Sequence, residues 1–321
     1  MNRASTPDAG PSRAKQWLRT SLNLLLPVAL VVAVDRFVGW GALLDPWQRL
    51  SVLALLPAIA LLLVSYGIRA LRLKLMLADQ PRLTAMASFR LTVEHNFYNN
   101  LMPMRTGEIS FPVLANRYCG IPISRSIPTL LLFRTLDLHS ILWLGMVCLG
   151  FATGRYSLVA SGLVVLALSL PGFLVARALA ARITPTPEGG RLRRVLVKLL
   201  AAVPHRGRDF ALLLGITVLN WAVKLSTLAW LLAVMADVNL VAAWLGATAG
   251  ELSSALPIHS WAGFGTYEAG ITLGLSAAGG TLTEALPVAV NLHLVVLGTS
   301  VVTGLASIIL PNPRGAIPTA R

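Results

Sequence analysis

Charged side chains fall inside several of the most apolar stretches of this sequence. Arg134 and Asp137 stand three residues apart within "LLLFRTLDL", and Arg105 and Glu108 stand three apart within "LMPMRTGEISF". A charge at membrane depth is costly unless it is paired or hydrated, so each of these residues is a candidate functional residue. Each arginine either pairs with the carboxylate three residues away or binds an anionic oxygen, such as that of a phosphate, through its planar guanidinium.

Polar residues also crowd the segment before Arg105. Glu94, Asn99 and Asn100 are too polar to face lipid, and we expect them to line a polar cavity or to bond the backbone of a broken helix. The sequence leaves these two roles open.

Lys224 interrupts another apolar run, where it pairs with Glu251 or Glu268 or contacts a substrate. Histidines in the same segments make proton coupling a secondary hypothesis, because imidazole titrates near neutral pH. These histidines are His95, His139, His259 and His293. The complete set of predicted substrate-binding residues is Arg105, Glu108, Arg134, Asp137, Asn99, Asn100, Glu94, Lys224, Glu251, His259 and Glu268.

The composition shows that the solvent around these residues is lipid. The chain has 321 residues, of which 55% are hydrophobic and 12% charged, and its mean hydropathy is +0.71. Soluble domains carry about 25% charged residues, so this is an integral membrane protein. Its net charge of +14 does not indicate a nucleic-acid partner, because the basic residues cluster in short loops and form no aromatic-interleaved face. The two cysteines lie far apart and predict neither a disulfide nor a metal site.

Six apolar runs are long enough to cross a bilayer core of about 30 Å as helices. They cover residues 22–40, 51–70, 127–150, 155–178, 210–236 and 284–310. Two more stretches, 86–118 and 241–279, are apolar but interrupted near their middles. The predicted helix breaks are Pro103, Gly107, Pro257, Gly263 and Gly265.

The placement of lysine and arginine predicts the orientation of the chain. The amino-terminal tail, the loop after the second run and the connection at 177–208 are basic, which places both termini in the cytoplasm. The residues assigned to that loop are Arg69, Arg72, Lys74, Arg82 and Arg90. In this orientation both ends of 86–118 are cytoplasmic and both ends of 241–279 lie on the far side. Each stretch is therefore predicted to be a re-entrant helical hairpin, buried in protein or lining a wet cavity.

The predicted fold is an all-α polytopic membrane protein with six transmembrane helices and two re-entrant hairpins in an inverted-topology repeat. A single transmembrane domain is predicted to cover 21–310, with halves at about 21–150 and 155–310. We expect a disordered cytoplasmic tail at 1–20 and a second cytoplasmic tail at 311–321. Residues 123–140 align with 282–299, which places Pro128 over Pro287 and Arg134 over His293. Inverted repeats with broken helices are typical of secondary transporters, whose substrates bind near the midplane.

Three motifs carry a resemblance to a known family. "NNLMPMRTGEIS", then "LLLFRTLDL", then "WAGFGTYEAG" resemble the lysylphosphatidylglycerol synthase transmembrane-domain family, including the flippase portion of bacterial multiple-peptide-resistance factors and stand-alone relatives. The resemblance covers about 50–310 and implies a protein of the bacterial inner membrane that handles a polar lipid. The positions that match the family's motifs are Pro103, Arg105, Gly107, Glu108, Arg134, Asp137, Gly263, Gly265 and Glu268.

Two departures from the family pattern affect the expected function. His293 stands where relatives often have an arginine, which puts the identity of the lipid headgroup in question. The chain ends shortly after its last span, so we expect the soluble aminoacyl-transfer domain to be missing.

The leading functional hypothesis is a lipid flippase that needs no cofactor. Its partner would be a polar or anionic membrane lipid, bound at a midplane site between the two hairpins. Alternatives are an intramembrane enzyme acting on a lipid-linked substrate, or an accessory subunit of a separately encoded lipid synthase. We expect no enzyme activity, because the sequence contains no H-E-x-x-H, no G-x-S-x-G and no phosphate-binding G-x-x-x-x-G-K-[ST] loop.

Overall fold

The structure is a computed structural model and consists of α-helices joined by short connections. It describes residues 25, 28–32, 34–183, 191–256 and 260–307, without the side chains of 37, 38, 191, 192, 194 and 195. Within those residues there are twelve α-helices and no strands, which confirms the predicted all-α class. The helices are α1 Asp45–Arg49, α2 Val52–Met76, α3 Ala85–Leu101, α4 Ser110–Cys119, α5 Ile123–Thr153, α6 Tyr156–Ala167, α7 Ser169–Arg182, α8 Arg191–Ala201, α9 Gly207–Ala236, α10 Leu240–Ser254, α11 Thr266–Ala277 and α12 Leu282–Ser307.

Five helical segments of the described chain are long and apolar enough to cross a membrane. They are α2, α5, the consecutive α6 and α7, α9 and α12, and they correspond to the second through sixth predicted spans. The first predicted span, 22–40, lies partly outside the described residues; Val34–Val38 within it form a short π-helix. The chain is therefore a multi-pass membrane protein.

Two breaks separate α3 from α4 and α10 from α11. In the first break a 3₁₀ stretch, Pro103–Ile109, follows α3, and Met104 and Arg105 have φ values of 54° and 56°. Gly107 packs so closely on the end of α3 that a Cβ there would overlap the backbone of Tyr98. The sequence therefore needs glycine at this position for close approach of two backbone segments.

The second break contains the 3₁₀ stretch Trp261–Gly263, in which Ala262 has a φ of 51°. Gly263 and Gly265 adopt φ values of 78° and 87°, a conformation that favours glycine. Two predicted residues of this segment lie outside the described residues. They are Pro257, predicted to break the helix, and His259, predicted to belong to the site. The two 3₁₀ stretches contact each other, so the breaks meet in space.

The order of elements repeats along the chain. The series α2, α3, break, α4, α5 is followed later by α9, α10, break, α11, α12. Thr84 caps α3 by accepting a hydrogen bond from the third residue after it, and Asn239 caps α10 in the same way. Contacts repeat as well, because α3 packs against α12 and α10 packs against α5.

The predicted basic loop after the second span is partly wrong. α2 continues to Met76 rather than ending near residue 70, so Arg69, Arg72 and Lys74 lie within the helix, and Arg90 lies within α3. Arg72 and Arg90 are buried, at 4% and 8% exposure. Each is tolerated because it pairs with a buried carboxylate, Asp137 and Glu94 respectively. These arginines belong to the interior and carry no information about orientation.

Candidate functional site

A polar cavity of about 270 Å³ lies between α2, α3, α5, α9, α10 and the first break. Eight of the predicted site residues line it, drawn from both halves of the chain. They are Asn99, Asn100, Arg105, Glu108, Arg134, Asp137, Lys224 and Glu251. Asn96, another polar residue of the segment before Arg105 for which the sequence allowed a cavity-lining role, lines it as well, and so do Arg69 and Trp221, which were not predicted from the sequence.

Glu108 is shared by two arginines at one side of the cavity. Arg105 donates to Glu108 from Nε at 2.8 Å and from a second nitrogen, which confirms the predicted pairing. Arg134 forms an ion pair with the same carboxylate, with its Nε 3.1 Å from Oε1. His95 lies on the other side of Arg134, 3.4 Å from its Nη2. One carboxylate therefore balances two guanidinium groups.

Arg105 also joins the first break to the second half of the chain. Its Nη1 donates to the backbone carbonyl oxygens of Ser254 and Ala255, at the end of α10. Those carbonyls have no intrahelical partner at a helix end, so the guanidinium satisfies them. The positive φ of Arg105 turns the backbone at the residue that makes this contact.

Lys224 pairs with Glu251 across the cavity wall, with Nζ 2.6 Å from Oε2. This confirms one of the two acid partners predicted for the lysine. The other oxygen of Glu251 accepts a hydrogen bond from the Tyr267 hydroxyl at 3.1 Å, and Lys224 lies 5.4 Å from the ring centre of Trp221. The pair is almost enclosed, because 13% of the lysine side chain and 5% of the glutamate side chain are exposed.

Asp137 does not pair with Arg134, three residues away on the same helix. Its carboxylate accepts two hydrogen bonds from Arg72 of α2, at 2.7 and 3.3 Å, and one from the Trp221 indole at 3.0 Å. The Arg72 guanidinium also lies 4.3 Å from the centre of the Phe133 ring. The carboxylate of Asp137 is therefore already engaged by structural partners, which corrects the local pairing expected from spacing.

Arg69 differs from the other cavity cations because the described residues include no carboxylate bonded to it. It donates to Asn96 at 3.3 Å and lies 5.6 Å from the Trp221 ring centre. Its Nε is buried without a hydrogen-bond partner among the described residues. Four basic and three acidic side chains line the cavity, so it carries an excess positive charge. Such a cavity favours an anionic ligand that accepts hydrogen bonds.

Corresponding positions of the two halves meet at this cavity. Ser65 of α2 and Asn220 of α9, 155 residues apart, are hydrogen-bonded to each other at 2.8 Å. The same spacing relates Arg69 to Lys224, both of which line the cavity. It also relates Asn96, the bonding partner of Arg69, to Glu251, the bonding partner of Lys224. This register is the signal by which Arg69 could have been found from the sequence.

Two predicted site residues lie outside the residues that line the cavity. Glu94 is buried among Arg90, the Tyr118 hydroxyl and Ser307, at 2.7, 2.6 and 3.4 Å. It therefore has neither of the two roles considered, and instead it joins α3, α4 and α12 through side-chain contacts. The wall of the cavity is instead formed by Asn96, two residues further along α3.

Glu268 is the second of these, and it lies at the start of α11. It accepts a hydrogen bond from the Gly265 backbone N–H at 2.7 Å and is bonded to His293 of α12 at 2.6 Å. The arrangement parallels Glu108 and Arg134 in the first half, because each glutamate lies at the end of a break or just after it and contacts the next long helix. Among the described residues, no cluster of His, Cys, Asp and Glu could hold a metal ion.

Comparison with known proteins points to one family. The family model described as the lysylphosphatidylglycerol synthase TM region matches residues 21–304. No curated protein matches the chain, and no solved structure matches it. The family match includes both breaks and every residue that lines the cavity.

Proposed function

Because the chain belongs to the lysylphosphatidylglycerol synthase transmembrane-region family, we propose that it is a lipid translocase of the bacterial inner membrane. The family supports a membrane function related to lipids. In this proposal the cavity receives the headgroup of an anionic lipid and passes it between leaflets, while the acyl chains stay in the bilayer. The protein performs no chemical conversion of the lipid.

The observation that carries this proposal is the excess positive charge in a cavity where both halves meet. Arg69 has no bonded carboxylate among the described residues, and its Nε is buried there without a hydrogen-bond partner. A phosphodiester offers anionic oxygens that would accept from the Arg69 guanidinium. A neutral headgroup would leave the excess charge of the cavity unbalanced.

The proposed path uses the two breaks as re-entrant hairpin tips that approach each other from opposite faces of the membrane. Contact between the 3₁₀ stretches supports this arrangement, as does the repeated order of the helices. Both termini would then be cytoplasmic. Rocking of one half against the other would expose the cavity to either leaflet, as in other transporters built from inverted repeats.

Reconstitution tests the proposal. The purified protein is placed in phosphatidylcholine vesicles that contain a fluorescent phosphatidylglycerol, and a membrane-impermeant quencher reports how fast the labelled lipid changes leaflet. We expect exchange faster than in protein-free vesicles, and faster for phosphatidylglycerol than for a labelled phosphatidylcholine. Exchange no faster than in empty vesicles would refute translocation of this lipid class.

Matched arginine variants then test the site. A hydrogen bond to a charged group contributes about 1.5–3 kcal/mol, so Arg69→Ala should weaken headgroup binding roughly ten- to hundredfold and slow exchange at limiting lipid. Arg125→Ala is the control, because Arg125 forms an exposed pair with Asp79 far from the cavity lining. Equal exchange by wild type and Arg69→Ala would exclude the cavity as the headgroup site. Mass spectrometry of the vesicle lipids should detect no new lipid species, whereas a converted lipid would indicate an enzyme.

A further inference from the structure

A buried acid–imidazole pair lies next to the cavity without forming part of its lining. Glu268 is fully buried and His293 has 7% of its side chain exposed, and His293 Nδ1 lies 2.6 Å from Glu268 Oε1. The second carboxylate oxygen accepts the Gly265 N–H at 2.7 Å. When Glu268 is ionised and His293 donates to it from Nδ1, the imidazole Nε2 is the atom that can take up a proton.

The two halves of the chain differ in one chemical respect at this position. In the first half the corresponding pair is Glu108 and Arg134, and a guanidinium keeps its charge at every physiological pH. In the second half an imidazole occupies the basic position, so the pair has two charge states that differ by one proton. With neutral His293 the pair carries one negative charge, and with protonated His293 it carries none.

Short contacts connect this pair to the cavity. The Tyr267 ring lies 4.7 Å from the His293 ring, and its hydroxyl donates to Glu251 at 3.1 Å. Glu251 in turn bonds Lys224, and both line the cavity. All four side chains have little or no exposure, so a charge added at His293 is poorly screened from a ligand beside Lys224. The effect is electrostatic and needs no continuous path for protons.

Other ionisable groups on the helices packed against α11 and α12 have partners of their own or are exposed. Glu251 is the one joined to the pair, through Tyr267. The remaining groups are Arg208, Asp209 and Lys224 on α9, Arg125, Arg134, Asp137 and His139 on α5, Arg90, Glu94 and His95 on α3, Asp45 and Arg49 on α1, and Asp35 and Arg36 in the π-helix. Those on α1 and the π-helix are exposed.

We propose that Glu268 and His293 form a proton-binding site whose occupancy is coupled to the anionic headgroup in the cavity. The inference rests on the proposed translocase function and adds a driving ion to it. Proton uptake removes one negative charge beside the cavity, so the anionic headgroup binds more tightly to the protonated protein. By reciprocity, headgroup binding promotes proton uptake by the same factor. A pH difference across the membrane would then bias the direction of lipid movement.

The same vesicle assay, run at a series of pH values between about 5 and 8, tests the coupling. Wild-type exchange at limiting phosphatidylglycerol should rise as pH falls, by up to about tenfold per unit for a step that requires one proton. His293→Arg fixes the positive charge and should give exchange that is insensitive to pH. His139→Gln is the matched control, because His139 bonds Ser169 outside the cavity and should keep the wild-type pH profile.

The outcomes separate the two proposals. Wild-type exchange that occurs but does not vary with pH would refute the proton site alone, as would an equal pH dependence in His293→Arg. Absence of wild-type exchange at every pH would refute the translocase and the coupling together. If His293→Arg does not fold, nitrogen-15 NMR of histidine-labelled wild type, assigned with His293→Gln, gives a direct measurement. An imidazole signal of His293 that does not titrate between about pH 5 and 8 would also refute the proposal.

Discussion

The buried pair of Arg72 and Asp137 allows a quantitative test of what holds the cavity wall together. The side chains are 5% and 9% exposed, and Nη1 lies 2.7 Å from Oδ1. At an effective dielectric constant of about 20, two unit charges at that distance attract each other by about 6 kcal/mol. Removing one partner forfeits that attraction and leaves the other charge buried, which typically costs about 3–5 kcal/mol.

We therefore expect Arg72→Met and Asp137→Leu each to lower the free energy of unfolding by about 3–5 kcal/mol. The double variant should lose much less than the sum, because an apolar pair of similar volume leaves no unpaired charge. Reversible denaturation of the purified protein in mixed micelles, followed by circular dichroism, measures all four members of this cycle. Transport per folded molecule in the double variant separates stability from headgroup binding.

Two results would contradict this reasoning. If the single losses add within about 0.5 kcal/mol, the two side chains do not interact energetically despite their contact. If Asp137→Leu leaves stability unchanged but abolishes exchange, Asp137 binds the headgroup and Arg72 is not its main partner. The cycle thus decides between the structural role shown by the contacts and the ligand role predicted from the sequence.

Two further predictions concern the first break and the loop between α2 and α3. Gly107→Ala should lower the free energy of unfolding by about 1–3 kcal/mol, because its Cβ would overlap the backbone of Tyr98. Gly215→Ala is the control, because this position in α9 has open space for a Cβ, and it should be neutral or stabilising. Thermal melts of both variants measure the difference. At the surface, hydrogen bonds from Arg125 lower the pKa of Asp79. A lowered pKa stabilises the fold above the ordinary aspartate value near about 4, and the contribution is lost as pH falls through the lowered value. Because the pair is exposed, Asp79→Asn should change stability at neutral pH by less than about 1 kcal/mol, and a larger loss would contradict this assignment.

The sequence was sufficient to predict the all-α class and five of its spans, because long apolar runs have few alternatives in lipid. It also identified both helix breaks, since Pro103 and the Gly263 and Gly265 pair are strong local signals. Lys224 must be neutralised within its span, and Glu251, with which it pairs, was one of the two acid partners predicted for it. The class, the spans and the breaks share a local cause that can be seen within one segment, whereas the choice of Glu251 over Glu268 was left open by the sequence.

Long-range pairing was not predictable in the same way. Asp137 bonds Arg72, 65 residues earlier, although Arg134 lies three positions away on its own helix. The choice depends on how α2 packs against α5 and α9, which local spacing does not specify. Arg69 and Arg72 were wrongly assigned to a loop for the same reason. They lie within α2, which continues to Met76, and their partners are an amide and a carboxylate in other helices.

In the proposed translocase, the contact of Arg105 with the end of α10 has a consequence for how long a headgroup stays bound. Its guanidinium is bonded to Glu108 and to the carbonyl oxygens of Ser254 and Ala255. A phosphate that recruits Arg105 must replace these bonds, so part of its binding energy is spent on opening the contact. The same bonds re-form when the lipid leaves, which favours release and shortens the residence time. A contact that weakens binding in this way would let the protein turn over instead of storing its lipid.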